Sequence, residues 1–464
     1  MRFPLSWLSV SVSSQRTVVI FGASGDLSSR LLLPGLGSLL AGPRASSVRI
    51  IGTGRSPLAA DEWTDRVRSA FGTELSPAAA GTLATTQYVA GDPTDAAHLR
   101  TLLELAGPAP VLYFSLPPAV TTEIVAKLQE ADLPEGTELA FEKPFGTDAA
   151  SAAALNKLVG DLVPEENVHR VDHFLGRTAV LNLIGLRFAN RLFEPVWNAE
   201  HIESVEIVYD ETLGLEGRAQ YYDNAGALVD MIQSHLLLVL ALLAMDAPAT
   251  MDAVEVRSEM ARALRSTHLY GGSALEASRR ARYTAGVADG RVVPSYADEA
   301  GVDRARETET LAEVTVEVGT NRWAGVPFTL RSGKAMPADS AEIAIHFRPM
   351  PRYLLDRWPG VEPNVLRLGL TEPYVRLATT LNAAERRAES RGLELLSNAP
   401  RRSAYANLVL EMLRGDATLL IRGDEAEESW RIIDPVTQAW TAGDVPLQEY
   451  AAGRPPPGPL TPAG

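Results

Sequence analysis

The chain has 464 residues, more than one hydrophobic core ordinarily serves, so two domains are expected. Its net charge of −15 argues against a general affinity for nucleic acid or anionic membranes. It contains no cysteine, which excludes disulfides, cysteine nucleophiles and thiolate metal sites. No apolar run reaches the roughly 18 residues of a membrane span, so we expect no membrane partner and a cytoplasmic location.

The N-terminal residues 1–16 contain a short apolar patch and two arginines, Arg2 and Arg16. They lack a clear charged region, a clear apolar centre and the small-residue cleavage site of a secretory signal. We therefore expect a loose arm here and not a signal peptide.

Apolar, β-branched runs alternate with helical patterns through the first third of the chain. This alternation predicts a doubly wound parallel sheet, the α/β class. The predicted strands lie at 17–21, 48–55, 87–92, 110–118 and 137–146, with helical patterns such as 121–131 between them.

After about residue 172 the pattern changes to strands without crossover helices, which predicts an α+β domain with a large, mainly antiparallel β-sheet. A long apolar helix at 223–245 precedes most of these strands. The predicted domains are 1–172 and 173–464, with a disordered tail at 453–464. The strands are predicted at 203–211, 310–318, 327–333, 341–349 and 364–370.

The residues GASGDL at 22–27 connect the first strand to a helix. A glycine at Gly22 permits a tight turn, and Gly25 lets backbone N–H groups approach a pyrophosphate at the helix N-terminus. The third glycine of the usual fingerprint is absent. A plain strand-to-helix turn therefore remains the alternative interpretation.

The second predicted strand ends in the residues GTGRS at 52–56, with an arginine and no acidic residue. An acidic side chain at this point favours NAD, whereas an arginine can bind a 2′-phosphate. Arg55 therefore favours NADP as the cofactor, with NAD as the alternative. The competing interpretation of Arg55 is a solvated surface arginine.

Long motifs then follow in a fixed order: GASGDLSSRLLLPGL, EKPFG, RVDHFLGR, NLIGLRFANRLFEPVWN, YYDNAGALVDMIQSH, TETLAEVTVEVGTNRWAGVPFTLRSGKAM and SAYANLVLEMLRGD. Together they resemble the glucose-6-phosphate dehydrogenase family over residues 17–436. The resemblance implies a Rossmann-type domain followed by a β+α domain that carries a dimer contact, in a homodimer or homotetramer. It also implies hydride transfer from C1 of a β-hexopyranose to NAD(P)+, which gives a 1,5-lactone in the pentose phosphate pathway.

Oxidation of a hemiacetal needs a base that removes the C1 hydroxyl proton, and histidine has a suitable pKa. The chain has seven histidines. The resemblance implies that His235 is the base and that Asp172 is the carboxylate that orients it. Read without the resemblance, His235 is more simply a histidine packed in a helix.

The resemblance also implies roles in binding. Lys143 and Pro144 would contact substrate and nicotinamide, while Glu211 and Asp230 would accept hydrogen bonds from sugar hydroxyls; read alone, Lys143 is a strand-end charge and Glu211 a solvated residue. The predicted cofactor ligands are Gly22, Ser24, Gly25, Asp26, Leu27, Arg55, Leu116, Pro117, Lys143 and Pro144. The predicted sugar ligands are Lys143, His173, Phe174, Arg177, Glu211, Asp230, His235, Lys334 and Asp339.

The chain departs from the family pattern where the substrate phosphate should bind. Phe174 stands in place of a tyrosine, Arg177 in place of a lysine, and Asp339 in place of a second basic residue. Gly369 stands at the position that corresponds to a glutamine in the family. Losing a donor and reversing a charge each cost on the order of 1–3 kcal/mol of phosphate binding. The residues that the resemblance places around C1 of the sugar match the family pattern.

Three functions remain open from the sequence. The first is C1 oxidation of glucose 6-phosphate or a related anionic hexose. The second is the same oxidation of a non-phosphorylated hexose, such as free glucose or an amino sugar, which Phe174 and Asp339 favour. The third is a non-catalytic cofactor-binding paralogue, which retention of His235 and Asp172 disfavours. The histidines are scattered, so we expect no metal site.

Overall fold

The computed structural model describes residues 16–42, 45–217, 219–351, 361–382, 388–396, 402–456 and 458. The predicted N-terminal arm lies outside the described residues except for Arg16. Most of the predicted disordered tail also lies outside them.

The first sheet has six strands, all paired in parallel, in the order β3-β2-β1-β4-β5-β6. This is the strand order of a dinucleotide-binding Rossmann fold and confirms the predicted doubly wound sheet. Every residue of β1 and β4 is buried, as expected of strands covered on both faces. The strands are β1 Thr17–Phe21, β2 Arg49–Gly54, β3 Gln87–Ala90, β4 Val111–Phe114, β5 Glu138–Glu142 and β6 Val168–Val171.

Helices connect these strands, and their starts follow local sequence signals. Asp95 and Asp148 accept backbone N–H groups at the first turns of α4 and α6, and proline begins α3 and α5. The helices are α1 Leu33–Leu40, α2 Ala60–Phe71, α3 Pro77–Thr85, α4 Ala96–Ala106, α5 Pro118–Leu128 and α6 Ala149–Gly160.

The second sheet has ten strands, in the order β17-β16-β15-β14-β7-β13-β12-β9-β18, with β8 paired to β12. Only the β7–β13 and β9–β18 pairs in it are parallel among the described strands, which confirms a mainly antiparallel sheet. Its strands are β7 Ile202–Asp210, β8 Thr267–Leu269, β9 Ser278–Thr284, β12 Leu311–Val318, β13 Phe328–Gly333, β14 Ser340–Phe347, β15 Val365–Gly369, β16 Tyr374–Asn382, β17 Ala388–Leu396 and β18 Leu447–Ala451; β10 Gly286–Ala288 and β11 Arg291–Val293 form a separate hairpin.

The predicted long helix forms as three consecutive pieces: α8 Ala219–Ala227, a π-helical segment Leu228–Leu236, and α9 Leu237–Ala244. The span Tyr221–Ala244 is long and apolar enough to cross a membrane, but 89% of its most apolar window is buried within the protein. Such burial is typical of a core helix. The other α-helices among the described residues are α7 Thr178–Phe188, α10 Ala253–Arg265, α11 Ala274–Ala277, α12 Ala404–Arg414 and α13 Gly423–Ala442.

The C-terminal end of α9 is capped by side chains from distant parts of the sequence. The indole N–H of Trp197 donates to the Leu243 carbonyl at 3.0 Å, and that of Trp323 donates to the Ala244 carbonyl at 2.8 Å. The Arg187 guanidinium also donates to Leu243, at 2.9 Å. These bonds satisfy carbonyls that a buried helix end would otherwise leave without donors.

The chain forms two compact units. The described residues of the first lie within Met1–Gly176, Thr250–Arg257 and Pro400–Glu427. Those of the second lie within Arg177–Ala249, Ser258–Ala399 and Glu428–Gly464. The first unit contains the parallel sheet, and the second contains the ten-stranded sheet and the segment that carries His235.

Candidate active site

The predicted phosphate loop is a constrained turn between three strands of the first sheet. Gly22 has φ 80°, and the amides of Gly22 and Ala23 donate to the Thr53 carbonyl at 3.0 and 3.1 Å. A Cβ at Gly22 would lie 2.3 Å from the Ser115 carbonyl oxygen and 2.9 Å from Leu116 Cδ2. Only glycine therefore fits at this turn, and Leu116 is placed against the loop.

Helical structure begins directly after Gly25, as the predicted motif requires, and runs through a π-helical turn, Ser28–Leu32, into α1. The Ser28 hydroxyl donates to the Gly22 carbonyl at 3.2 Å, and the Ser29 amide donates to the Gly25 carbonyl at 3.2 Å. Gly25 and Asp26 at the start of this helix are exposed, and the first N–H groups of a helix are suited to an anion. Pyrophosphate binding by this loop stays a prediction.

Arg55 is exposed immediately beyond β2, and no acidic residue ends that strand. Two residues that the sequence motifs did not indicate bond the phosphate loop and the turn after β2. Arg66 donates to the Ser24 carbonyl at 2.9 Å, and the Tyr88 hydroxyl donates to the Ser56 carbonyl at 2.8 Å. Both come from elements outside the motif, so no local spacing could have found them.

Lys143 and Pro144 follow β5, joined by a cis peptide bond. The preceding Glu142 carboxylate accepts hydrogen bonds from the Tyr113 hydroxyl and, at 3.3 Å, from the Tyr405 hydroxyl. Burial raises the pKa of Glu142 to about 7 despite these bonds. Sequence reasoning singled out the lysine of EKPFG and missed this carboxyl group, because its partners come from β4 and α12.

Asp172 is completely buried, and its Oδ1 accepts the Phe174 backbone N–H at 2.9 Å. Phe174 is 1% exposed, so its ring fills the interior. The His173 ring lies 5.1 Å from the Phe174 ring and 6.3 Å from that of Tyr405, measured between centroids. The missing tyrosine hydroxyl is thus replaced by an apolar packing contact beside His173.

Arg177 precedes α7, and its guanidinium lies 5.5 Å from the ring centroid of Tyr209 near the end of β7. A cation at this distance from an aromatic face is attracted to it. Sequence reasoning missed Tyr209, because it lies 32 positions after Arg177 and no motif contains both residues.

Glu211 and Lys334 form an ion pair at the ends of neighbouring strands. The Lys334 ammonium donates to Glu211 Oε2 at 2.7 Å and lies 5.2 Å from the Tyr222 ring centroid. Lys334 is 6% exposed. Two predicted sugar ligands are therefore directly paired, which excludes the interpretation of Glu211 as a merely solvated residue.

Asp339 is exposed, and its Oδ1 accepts the Thr212 backbone N–H at 2.6 Å. The carboxylate therefore closes the loop that follows Glu211. Gly369 has no room for a side chain, because a Cβ there would lie 1.9 Å from the Glu372 carbonyl oxygen. A glutamine side chain could not replace this glycine without moving the turn.

His235 is 1% exposed and lies in the π-helical segment. In this segment the backbone N–H of residue i+5 donates to the carbonyl of residue i. The Ser234 hydroxyl also donates to the Val229 carbonyl, at 2.8 Å. Asp230 is therefore one turn from His235, and it accepts the Tyr221 hydroxyl at 3.2 Å. Spacing alone had left open whether the two residues share a face.

The predicted site residues are divided between the two compact units. The first unit holds the phosphate loop, Lys143, Asp172, His173 and Phe174, and the second holds Arg177, Glu211, Asp230, His235, Lys334 and Asp339. The pairing of Asp172 with His235 stays a prediction. Within the described ranges, no group of three or more histidine or acidic side chains is arranged to hold a metal ion.

Known sequences match both regions. Residues 19–182 match the model of the glucose-6-phosphate dehydrogenase NAD binding domain, and residues 184–461 match that of the glucose-6-phosphate dehydrogenase C-terminal domain. Glucose-6-phosphate 1-dehydrogenase of Zymomonas mobilis is 36% identical, covering 94% of this chain and 95% of that protein. The enzyme of the same name from Gluconobacter oxydans is 38% identical, covering 94% and 93%.

Solved structures agree with the sequence matches. A glucose-6-phosphate dehydrogenase in complex with its substrate glucose-6-phosphate superimposes with a TM-score of 0.86, at 30% identity and 96% coverage of both chains. Glucose-6-phosphate 1-dehydrogenase from Mycobacterium avium gives 0.83, at 32% identity, with 95% and 94% coverage. The two family models together match residues 19–182 and 184–461, and the chain belongs to the glucose-6-phosphate dehydrogenase family of NAD(P)-dependent oxidoreductases.

Proposed function

We propose that this protein oxidises glucose 6-phosphate at C1 with NADP+, forming the 6-phospho-1,5-lactone, with His235 as the base. The observation that carries the proposal is the 30%-identical substrate complex, which covers 96% of this chain. The chain keeps a histidine, an acidic residue one turn before it, and an ion-paired lysine at the expected positions.

In the proposed mechanism the neutral His235 imidazole takes the proton of the C1 hydroxyl. The C1 hydrogen leaves as hydride, for which the bound dinucleotide supplies the acceptor. Asp172, a fully buried carboxylate, would orient the imidazole and stabilise its protonated form. The support for this assignment is that Asp172 and His235 lie in two motifs, RVDHFLGR and YYDNAGALVDMIQSH, that resemble those of the family and occur in the same order.

Recognition of the sugar hydroxyls would fall to the paired Glu211 and Lys334 and to Asp230. The carboxylates accept hydrogen bonds and the ammonium donates them, so the set matches the two capacities of a hydroxyl. The Glu211–Lys334 ion pair, and the hydrogen bond that Asp230 accepts from the Tyr221 hydroxyl, hold these groups before substrate binds, which lowers the entropy cost of binding.

The 6-phosphate would bind Arg177 and His173. Stacking on Tyr209 limits the rotamers of Arg177, so the guanidinium is held in place in advance. The Asp339 carboxylate accepts the Thr212 amide, so it is engaged by the loop that follows Glu211. The held Arg177 guanidinium is the observation that favours a phosphorylated substrate.

NADP would lie against the loop at Gly22 and Gly25, with Ser24, Asp26, Leu27, Leu116 and Pro117 around it. Arg55 would bind the 2′-phosphate, supported by its exposure beyond β2 and by the absence of an acidic residue there. Lys143 and Pro144 would border the nicotinamide.

Steady-state kinetics with glucose and glucose 6-phosphate, each with NAD+ and NADP+, test the proposal. We expect the highest kcat/KM for glucose 6-phosphate with NADP+. The second candidate is oxidation of a free hexose, which the buried, donor-free Phe174 favours. A kcat/KM for free glucose equal to or above that for the phosphate ester would replace the first candidate with the second.

A homodimer or homotetramer in the cytoplasm completes the proposal. Leu381 on β16 and Leu393, Leu395 and Leu396 on the edge strand β17 are each more than half exposed. An exposed apolar sheet edge is a ready surface for another copy of the same chain. Light scattering after size-exclusion chromatography measures the assembly, and a monomeric mass at working concentration would remove this part of the proposal.

A further inference from the structure

A short strap crosses the second unit immediately before β12. It consists of the three residues Thr308, Glu309 and Thr310. The Thr308 hydroxyl donates to the Asp223 carbonyl at 2.8 Å. The Lys334 amide donates to the Thr310 carbonyl at 2.9 Å. The 308–310 strap therefore bonds both the helix leading to His235 and the backbone of Lys334.

Glu309 lies at the centre of this strap and holds the start of the π-helical segment. Its Oε1 accepts the Leu228 amide at 3.0 Å, and its carbonyl accepts the Ala227 amide at 3.4 Å. Glu309 is 8% exposed, so the interaction is shielded from water. Two N–H groups at the head of the segment are thus bonded to one residue.

Gly226 makes room for the Glu309 carboxyl group. It has φ 62° and ψ 179°, a conformation that is essentially restricted to glycine. A Cβ at this position would lie 2.2 Å from Glu309 Oε1. The backbone break at Gly226 and the buried carboxyl group therefore depend on each other.

We propose that Glu309 is a positioning residue for the reaction: by bonding the Leu228 amide beside Gly226, it fixes the segment that presents Asp230 and His235 to the sugar. The inference rests on the proposed function of His235. Glu309 itself need not touch substrate, because the bonds run through the backbone.

Two substitutions test the inference, and a third serves as the matched control. Glu309→Ala removes the acceptor, and we expect kcat to fall about tenfold or more with KM for NADP+ unchanged. Glu309→Gln keeps a carbonyl acceptor for Leu228, and we expect kcat within about threefold of the parent. The control is Glu425→Gln, because Glu425 is also buried and accepts a backbone amide, that of Arg422 at 2.6 Å, at the start of α13.

Deuterium uptake separates the strap from the chemistry. We expect Glu309→Ala to raise uptake in a peptide covering 223–237, whereas Glu309→Gln and Glu425→Gln leave that peptide as in the parent. This readout does not depend on which residue is the base. Full turnover in His235→Asn would instead overturn the proposed function and leave the uptake result standing.

Each other outcome overturns the inference. Unchanged uptake in Glu309→Ala would show that the carboxylate does not hold the segment. Raised uptake with unchanged kcat would show that the segment needs no such positioning for turnover. Equal losses of kcat in Glu309→Ala and Glu309→Gln would show that hydrogen-bond acceptance is not what Glu309 contributes.

Discussion

The proposed phosphate loop and the proposed sugar-binding region of this chain are built in different ways. The loop consists of consecutive residues between β1 and the helix that follows it, and its key constraint at Gly22 is steric. The proposed sugar ligands of the second unit are spread from Arg177 to Asp339 and lie at strand ends and on a helix. A local motif therefore reveals the first region, whereas only the assembled sheet reveals the partners in the second.

The largest effect is expected in the second region, from His235→Asn. Without a general base, kcat should fall by about 10² or more, while cofactor affinity stays the same. Turnover measurements combined with fluorescence titration of NADPH check both halves. Unchanged turnover would show that His235 is not the base, and the second region would then have no assigned role in the proton transfer.

The next effect is expected in the phosphate loop, from Gly22→Ala. The added Cβ would meet the Ser115 carbonyl at 2.3 Å in a backbone conformation that alanine rarely adopts. We expect at least about a tenfold loss of NADP+ affinity or a lowered Tm. Gly25→Ala is the comparison, because its Cβ meets nothing closer than 3.2 Å. Equal losses in both variants would contradict the steric argument.

A smaller effect is expected from loss of the stacking beneath Arg177. Tyr209→Ala should raise KM for glucose 6-phosphate about three- to tenfold, because a cation–π contact is worth about 0.5–1 kcal/mol or more. Tyr209→Phe keeps the ring and should lie close to the parent. KM measured with both variants decides; a Phe variant as weak as the Ala variant would assign the effect to the hydroxyl group.

The smallest effect concerns pH. Burial raises the pKa of Glu425 to about 7, above the value near 4.5 of the unfolded chain. Its folded state therefore favours the protonated form, so stability is full below about pH 4.5 and falls as pH rises through 7. Urea unfolding of Glu425→Gln should show a smaller loss of stability between pH 5 and 8 than the parent. An identical loss in both proteins would exclude Glu425 as a contributor.

Much of the fold could be predicted because its signals are local. The strand predicted at 17–21 forms over those residues, and the antiparallel character of the second sheet follows from strands without crossover helices. Arg66, Tyr209 and Glu309 were missed, because each acts through a partner that is distant in sequence. The bond between the Thr212 amide and Asp339 was also missed, since the two residues become neighbours only in the folded sheet.

The π-helical segment has a consequence for how such sequences are read. Helical wheels drawn at about 100° per residue place positions five apart on different faces. In Leu228–Leu236 five residues close one hydrogen-bonded ring, so Asp230 and His235 stack like residues four apart in an α-helix. A search for paired polar side chains in buried helices therefore has to consider a spacing of five residues as well as the α-helical spacing of four. A relative with one residue fewer between the two side chains would keep them on the same face in an ordinary α-helix.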